Sequence, residues 1–209
     1  MAFFAQALAT IIGVVDPLGI APIFLALTPT LDAGAKLRVM RNAVLIAFVI
    51  LMAFAALGRL LLHSLGITLP AFYISGGILL LLIAVDQLFA RASRTRETPE
   101  EESEALRSTD ISVFPLAIPI LSGPGAIATI ILYMSLAGTD VAKIGAVLAS
   151  ITIALLASYV TMRLSGLVVR LLGATGIHVI GRIIGIILAA LGVQFVLNGV
   201  SSYYHILAR

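Results

Sequence analysis

Two short runs hold the groups that could do chemistry in an otherwise apolar chain: Val14-Val15-Asp16-Pro17-Leu18-Gly19-Ile20-Ala21-Pro22 and Ile120-Leu121-Ser122-Gly123-Pro124-Gly125-Ala126-Ile127. The first interrupts an apolar stretch over 1–31. A helix starting near Phe3 would put Asp16 about 20 Å along its axis, inside a hydrocarbon layer ~30 Å thick. A carboxylate at that depth is costly, so it is expected to face protein or a wet cavity and is a functional candidate by default. Pro17 and Pro22 remove two backbone donors and clash with the preceding turn, which predicts that the helix breaks and restarts. Asp16 is then expected as N-cap, with Pro17 as the first helical residue. In the second run Ser122 is expected to cap, and Gly123 and Gly125 permit close backbone approach. A restarted helix presents unpaired N–H groups and about half a positive charge, which suits a carboxylate. Asp16 supplies the opposite sign. The ligand that this pairing suggests is a small zwitterion, with Asp16, Pro17, Leu18, Gly19, Ser122, Gly123, Pro124 and Gly125 as candidate binding residues and Asp16 as candidate coupling residue.

The elements that must position these runs are membrane spans. The chain of 209 residues is 61% hydrophobic, with a mean hydropathy of +1.16 and 11% charged residues, where soluble domains have about 25%. Uncharged stretches follow the opening one at 43–58, 64–85, 111–139, 144–162 and 183–204, which predicts an all-α integral membrane protein of six transmembrane helices. No Lys or Arg precedes Lys36, so the start lacks a signal-peptide n-region and the first span is expected to be retained. With no cysteine, disulfides and thiol chemistry are excluded. The net charge of +3 comes with no basic stripe interleaved with aromatics, so nucleic acid is not an expected partner.

Basic residues divide unequally between the two sides of such a chain. Lys36, Arg38, Arg41, Arg91, Arg94, Arg96, Arg107, Arg163, Arg170 and Arg182 fall on one side and Arg59, Lys143 and Arg209 on the other. The richer side is expected to be cytoplasmic, which places loops 28–42, 86–110 and 165–180 there and both termini outside. The middle loop, rich in Glu and Arg, reads as a solvated linker over 91–110 between units 1–90 and 111–209. A gap-free shift of 107 residues superposes those units, pairing Pro17 with Pro124, Leu65-Gly66 with Leu172-Gly173, Thr68 with Thr175 and Gln87 with Gln194. Three spans per unit is an odd number, so the second must lie upside down: an inverted 3+3 repeat with helices 1 and 4 broken, an architecture common in secondary transporters.

Asp16-Pro17-Leu18-Gly19-Ile20-Ala21-Pro22-Ile23-Phe24, together with Phe114-Pro115-Leu116-Ala117-Ile118-Pro119 leading into Ser122-Gly123-Pro124-Gly125-Ala126-Ile127, resembles the paired signatures of the MarC family. The likeness covers essentially the whole chain. It implies a six-helix protein of the inner membrane, within the lysine-exporter superfamily. Some members are similar to transporters of small neutral amino acids, which makes glycine and alanine the implied substrates. Many carry Asn where this chain has Asp16, which leaves open whether that residue must ionise.

The function expected from both lines is secondary transport by alternating access, with H⁺ at Asp16 or Na⁺ on unwound carbonyls as the coupling ion and no other cofactor. A passive channel or a structural membrane partner is the alternative, since broken helices alone do not separate a pore from a carrier. An enzyme is not expected: Asp16 has no second carboxylate at its depth, no His is placed to activate Ser122, and His63, His178 and His205 are too scattered for a metal site. Glycines 181, 185, 192 and 199 are expected to pack a neighbouring helix, Gln87 and Gln194 to bond at interfaces or between helices, and Arg182 to snorkel. The partners implied are the lipid bilayer and a small zwitterionic substrate, with a homo-oligomer left open.

Overall fold

The structure, a computed structural model, describes residues 2–89 and 110–207; the linker expected over 91–110 lies outside the described residues except for Asp110. All regular structure among the described residues is helical: α1 (Ala2–Val15), α2 (Ile20–Leu27), α3 (Ala33–Ser64), α4 (Leu69–Leu88), α5 (Ser112–Leu121), α6 (Pro124–Ala137), α7 (Val141–Arg163) and α8 (Ser165–Leu207). Five spans are long and apolar enough to cross a membrane, with α1 and α2 together counted as one, and a sixth is reached if α5 and α6, bent by 52° at their junction, form one span. α5 is π-wound, with non-helical backbone at Phe114 and Ile118 and cis peptide bonds before Pro115 and Pro119.

Side-chain caps fix several starts. The Asp32 carboxylate accepts the Ala35 N–H at 2.8 Å, and Thr68 Oγ1 accepts the Ala71 N–H at 3.4 Å. Asp140 accepts the N–H groups of Ala142 and Lys143. These bonds, that of Lys143 first, hold the Asp140 carboxyl below its ordinary value.

The expected loops 28–42 and 165–180 are corrected: residues 33–42 form the first turns of α3, and 165–180 are helical about a bend at Gly173 (φ 63°). Lys36, Arg38 and Arg41 are adequate helix formers behind the Asp32 cap, so charge marks where the chain leaves lipid and not where the helix stops. At ~1.5 Å per residue α3 is about 48 Å long and overruns the hydrocarbon.

α4 and α8 run antiparallel with their backbones in close approach. A Cβ on Gly192 would lie 2.8 Å from Gly77 O, one on Gly199 2.8 Å from Pro70 O, and one on Gly185 3.1 Å from Ala84 O. Gly181 has nothing within 4 Å and is not part of this seam. Tyr133 of α6 is fully buried, edge-on to Phe3 and Phe195 with both centroids at 5.8 Å, and its hydroxyl lies 2.8 Å from Thr10 Oγ1. Lys143 sits over the Phe3 ring and Arg59 Nη1 donates to Gly138 O at 2.8 Å, so the start of α1, the end of α3 and the start of α7 share one end of the molecule. Large apolar side chains exposed on α3, α4 and α8, such as Val49, Leu82 and Ile186, supply the surface a bilayer covers.

Candidate functional site

The first break begins where α1 runs out of donors. Asp16 adopts a left-handed backbone (φ 53°), and its N–H donates to Ile12 O at 2.8 Å, the single-bond left-handed closure of a helix C-terminus that Gly or Asn usually supplies. Its Oδ1 accepts the Gly19 N–H at 3.1 Å, so the carboxylate closes the turn Pro17-Leu18-Gly19. The expectation that Pro17 is the first helical residue is corrected: α2 starts at Ile20, behind Gly19. The reason is that Asp16 is already committed to ending α1, and one residue cannot also take the extended backbone of an N-cap.

Pro17 leaves a further consequence. Gly13 O would accept the N–H of the residue four further on, and proline has none. The Gln87 side chain from α4 fills that place, donating Nε2 to Gly13 O at 2.9 Å. Gln87 Oε1 is buried and has no hydrogen-bond partner among the described residues.

The second break is built differently. Ser122 is 2% exposed, and both its N–H (2.9 Å) and its Oγ (2.7 Å) donate to Ala117 O, one π-turn back. The expected capping by Ser122 is therefore corrected: Gly123 is the N-cap of α6, without a side-chain bond, and Pro124 opens the helix. Non-helical backbone at Ile118 brings the Ala117 carbonyl within reach of the hydroxyl, which turns away from α6. A Cβ at Gly123 would collide with Pro119 O, and one at Gly125 with Ile83 Cδ1, so both positions require the missing side chain.

The two breaks meet. The place of a Gly125 Cβ is 3.3 Å from Val14 Cγ1, and a cavity of ≈ 10 Å³ is lined by Val14 and Ile83 together with Pro119, Ile120, Gly123, Pro124, Gly125 and Ala126. Of the residues singled out from sequence, Gly123, Pro124 and Gly125 line this cavity. Asp16, Pro17, Leu18, Gly19 and Ser122 do not line it; they shape the breaks on either side. Sequence reasoning gave Gln87 an interhelical bond without its target, and it missed Ile83 and the Thr10–Tyr133 pair. The available signal was the proline at 17, which demands a substitute donor for Gly13 without naming it. Among the described residues no group of three or more His, Cys, Asp or Glu could hold a metal.

A family model described as MarC family integral membrane protein matches residues 1–204. The chain belongs to the MarC family. Relatives match more than nine-tenths of this MarC-family chain. A UPF0056 membrane protein of Methanocaldococcus jannaschii is 34% identical over 97% of the chain and 89% of its own length. The UPF0056 membrane protein YhcE of Escherichia coli K12 is 33% identical over 91% of the chain and 88% of its own. YvbG of Bacillus subtilis is 32% identical over 98% and 97%. No solved structure matches.

Proposed function

We propose that this MarC-family protein is a secondary transporter of small neutral amino acids of the glycine and alanine class, working by alternating access and driven by an H⁺ or Na⁺ gradient, without enzymatic activity. The observation that carries the reading is the meeting of Val14, at the end of α1 beside the first break, with the second break at Gly123–Gly125 around one cavity. Discontinuous spans that bring half-helix ends to a shared point are the usual construction of a carrier's binding site. The α6 N-terminus offers backbone N–H groups to a carboxylate, and Asp16 lies close in sequence to the cavity-lining Val14 as the counter-charge for an ammonium.

We read the two halves as an inverted repeat, which is the construction this mechanism uses. The shift of 107 that pairs Gly66 with Gly173 pairs two left-handed glycines, φ 68° and 63°, each followed two residues later by a threonine. Contacts between the halves are reciprocal: α1 packs on α7 while α5 and α6 pack on α3, and α4 packs on α8. The end carrying Arg59 and Lys143 would face outward, in the inner membrane, by the excess of basic residues on the other side.

A cavity of ≈ 10 Å³ accommodates about one water. An amino acid therefore enters only when the breaks separate, as a carrier requires. Thermal shift of the purified protein tests the ligand class: alanine and glycine are expected to stabilise it saturably and tryptophan not. Stabilisation by a sugar or a hydrophobic drug, with none by alanine or glycine, would defeat the zwitterion argument.

A further inference from the structure

We propose that Gln87 and Gln194 are reciprocal latches, each bracing the break of its own half in one of two alternating states; this deepens the transport reading and rests on it. The shift that equates Pro17 with Pro124 also equates Gly13 with Ile120 and Gln87 with Gln194. Each half thus carries the same three parts: a proline, the residue four before it, and a glutamine on the third span. Only one set is assembled. Gln87 Nε2 donates to Gly13 O at 2.9 Å, in the place of the N–H that Pro17 lacks. Gln194 is exposed and donates instead to Asn198 Oδ1 on its own helix, one turn away.

The two glutamines also stand at different levels. Gln87 Cβ lies 3.2 Å from the place of a Gly185 Cβ, and Gly192 faces Gly77, so Gln194 is level with the first turns of α4 and Gln87 with its last. At ~1.5 Å per residue the separation is roughly 18 Å along the pair. A latch near each end of the membrane span, one fastened and one free, is what alternating access needs. Fastening Gln87 ties α4 to α1 and closes the end that holds Leu88. With Gln194 held only on its own helix, the end that holds Arg59 and Lys143 is the one left able to open. In the opposite state Gln87 releases Gly13 and Gln194 docks on the second break at Ile120. The buried, unpartnered Oε1 of Gln87 makes the fastened arrangement reversible, because release returns that oxygen to polar surroundings.

The chain has no cysteine, so one introduced thiol is a clean reporter. Ala126→Cys, which lines the cavity between the breaks and leaves Pro124 in place, is reconstituted in sealed vesicles and labelled with a membrane-impermeant maleimide from the end that holds Arg59. Labelling is expected in this parent. Adding Gln87→Leu removes the fastened latch and is expected to slow labelling roughly two- to tenfold, the shift given by one net hydrogen bond. Adding Gln194→Leu removes the opposing latch and is expected to leave labelling equal or faster. Gln87→Met, close in shape, repeats the first arm if the leucine variant does not fold. A purely structural role would move both glutamine variants the same way; that result, no change in either, or an unlabelled parent overturns the proposal. Alanine flux in vesicles of the cysteine-free chain separates the two readings: no flux there with opposite labelling shifts removes the substrate and keeps the latches, and flux without the shifts removes the latches alone.

Discussion

Adding one methyl group at Gly192 and one at Gly181 is expected to have opposite effects on stability, although both glycines lie on α8. At Gly192 the new Cβ would stand 2.8 Å from Gly77 O, 3.0 Å from Leu81 Cγ and 3.1 Å from Leu81 N. Two of those neighbours are backbone and cannot rotate away, so α4 and α8 must move apart by roughly half an ångström, an overpacking cost of about 1–3 kcal/mol. At Gly181 nothing lies within 4 Å, and alanine gains up to about 1 kcal/mol of helix propensity. Both variants share that gain, so their difference isolates the seam. For a chain of this size 1 kcal/mol moves Tm by about 2–4 °C, so G192A is expected to melt roughly 2–12 °C below G181A. Gly77→Ala, whose Cβ would meet Gly192 O at 2.6 Å, is expected to fall on the G192A side. Circular dichroism melting in one detergent checks this. If G192A and G77A melt at or above G181A, the close antiparallel seam is not what holds α4 and α8 together.

Asp16→Asn keeps an oxygen for the Gly19 N–H and tolerates the left-handed backbone, so it is expected to fold normally and to lose gradient-driven alanine flux; near-normal flux would reduce Asp16 to a structural role. Asp16→Ala is expected to lose about 1 kcal/mol more in melting, from the missing acceptor. Tyr133→Phe removes one buried hydroxyl while Thr10 keeps its bond to Gln6 O, a loss of about 1 kcal/mol. Tyr133→Ala also leaves a cavity between Phe3 and Phe195, a loss of about 3–5 kcal/mol, and the two melting curves compare these costs directly. The folded Asp140 carboxyl titrates below its ordinary 3.8, so its contribution is present above that pH and is lost as pH falls through the folded value. The stability advantage of the wild type over Asp140→Ala, measured by melting at a series of pH values, is therefore expected to be constant near neutrality and to shrink in acid.

The membrane spans and the neighbourhood of the site were legible because each rests on one physical cause. Uncharged runs require lipid, and Pro17 and Pro124 remove donors wherever the chain puts them. The backbone at each break was not legible. Asp16 is as good a helix end as a helix start, and the local sequence does not say which use wins; here the closure onto Ile12 takes it. Ser122 was equally ambiguous, since its hydroxyl reaches backwards only because non-helical backbone at Ile118 brings the Ala117 carbonyl beside it. Basic residues at 36–41 mark the lipid boundary but sit inside α3, so hydropathy ended that helix too early. The left-handed Gly173 inside α8 becomes readable only beside Gly66, 107 residues earlier. Gln87 as the donor for Gly13, and Ile83 against Gly125, depend on tertiary placement of α4 that no local pattern specifies.

Radiolabelled alanine uptake by proteoliposomes under imposed H⁺ or Na⁺ gradients, against empty liposomes, tests the central claim most directly. The account predicts saturable, concentrative uptake that one of the two gradients drives and that Asp16→Asn, which keeps an acceptor for the Gly19 N–H, abolishes in a protein that still folds. Uptake that never exceeds equilibration, or that neither gradient drives, would contradict a gradient-coupled carrier built around the meeting of the two breaks.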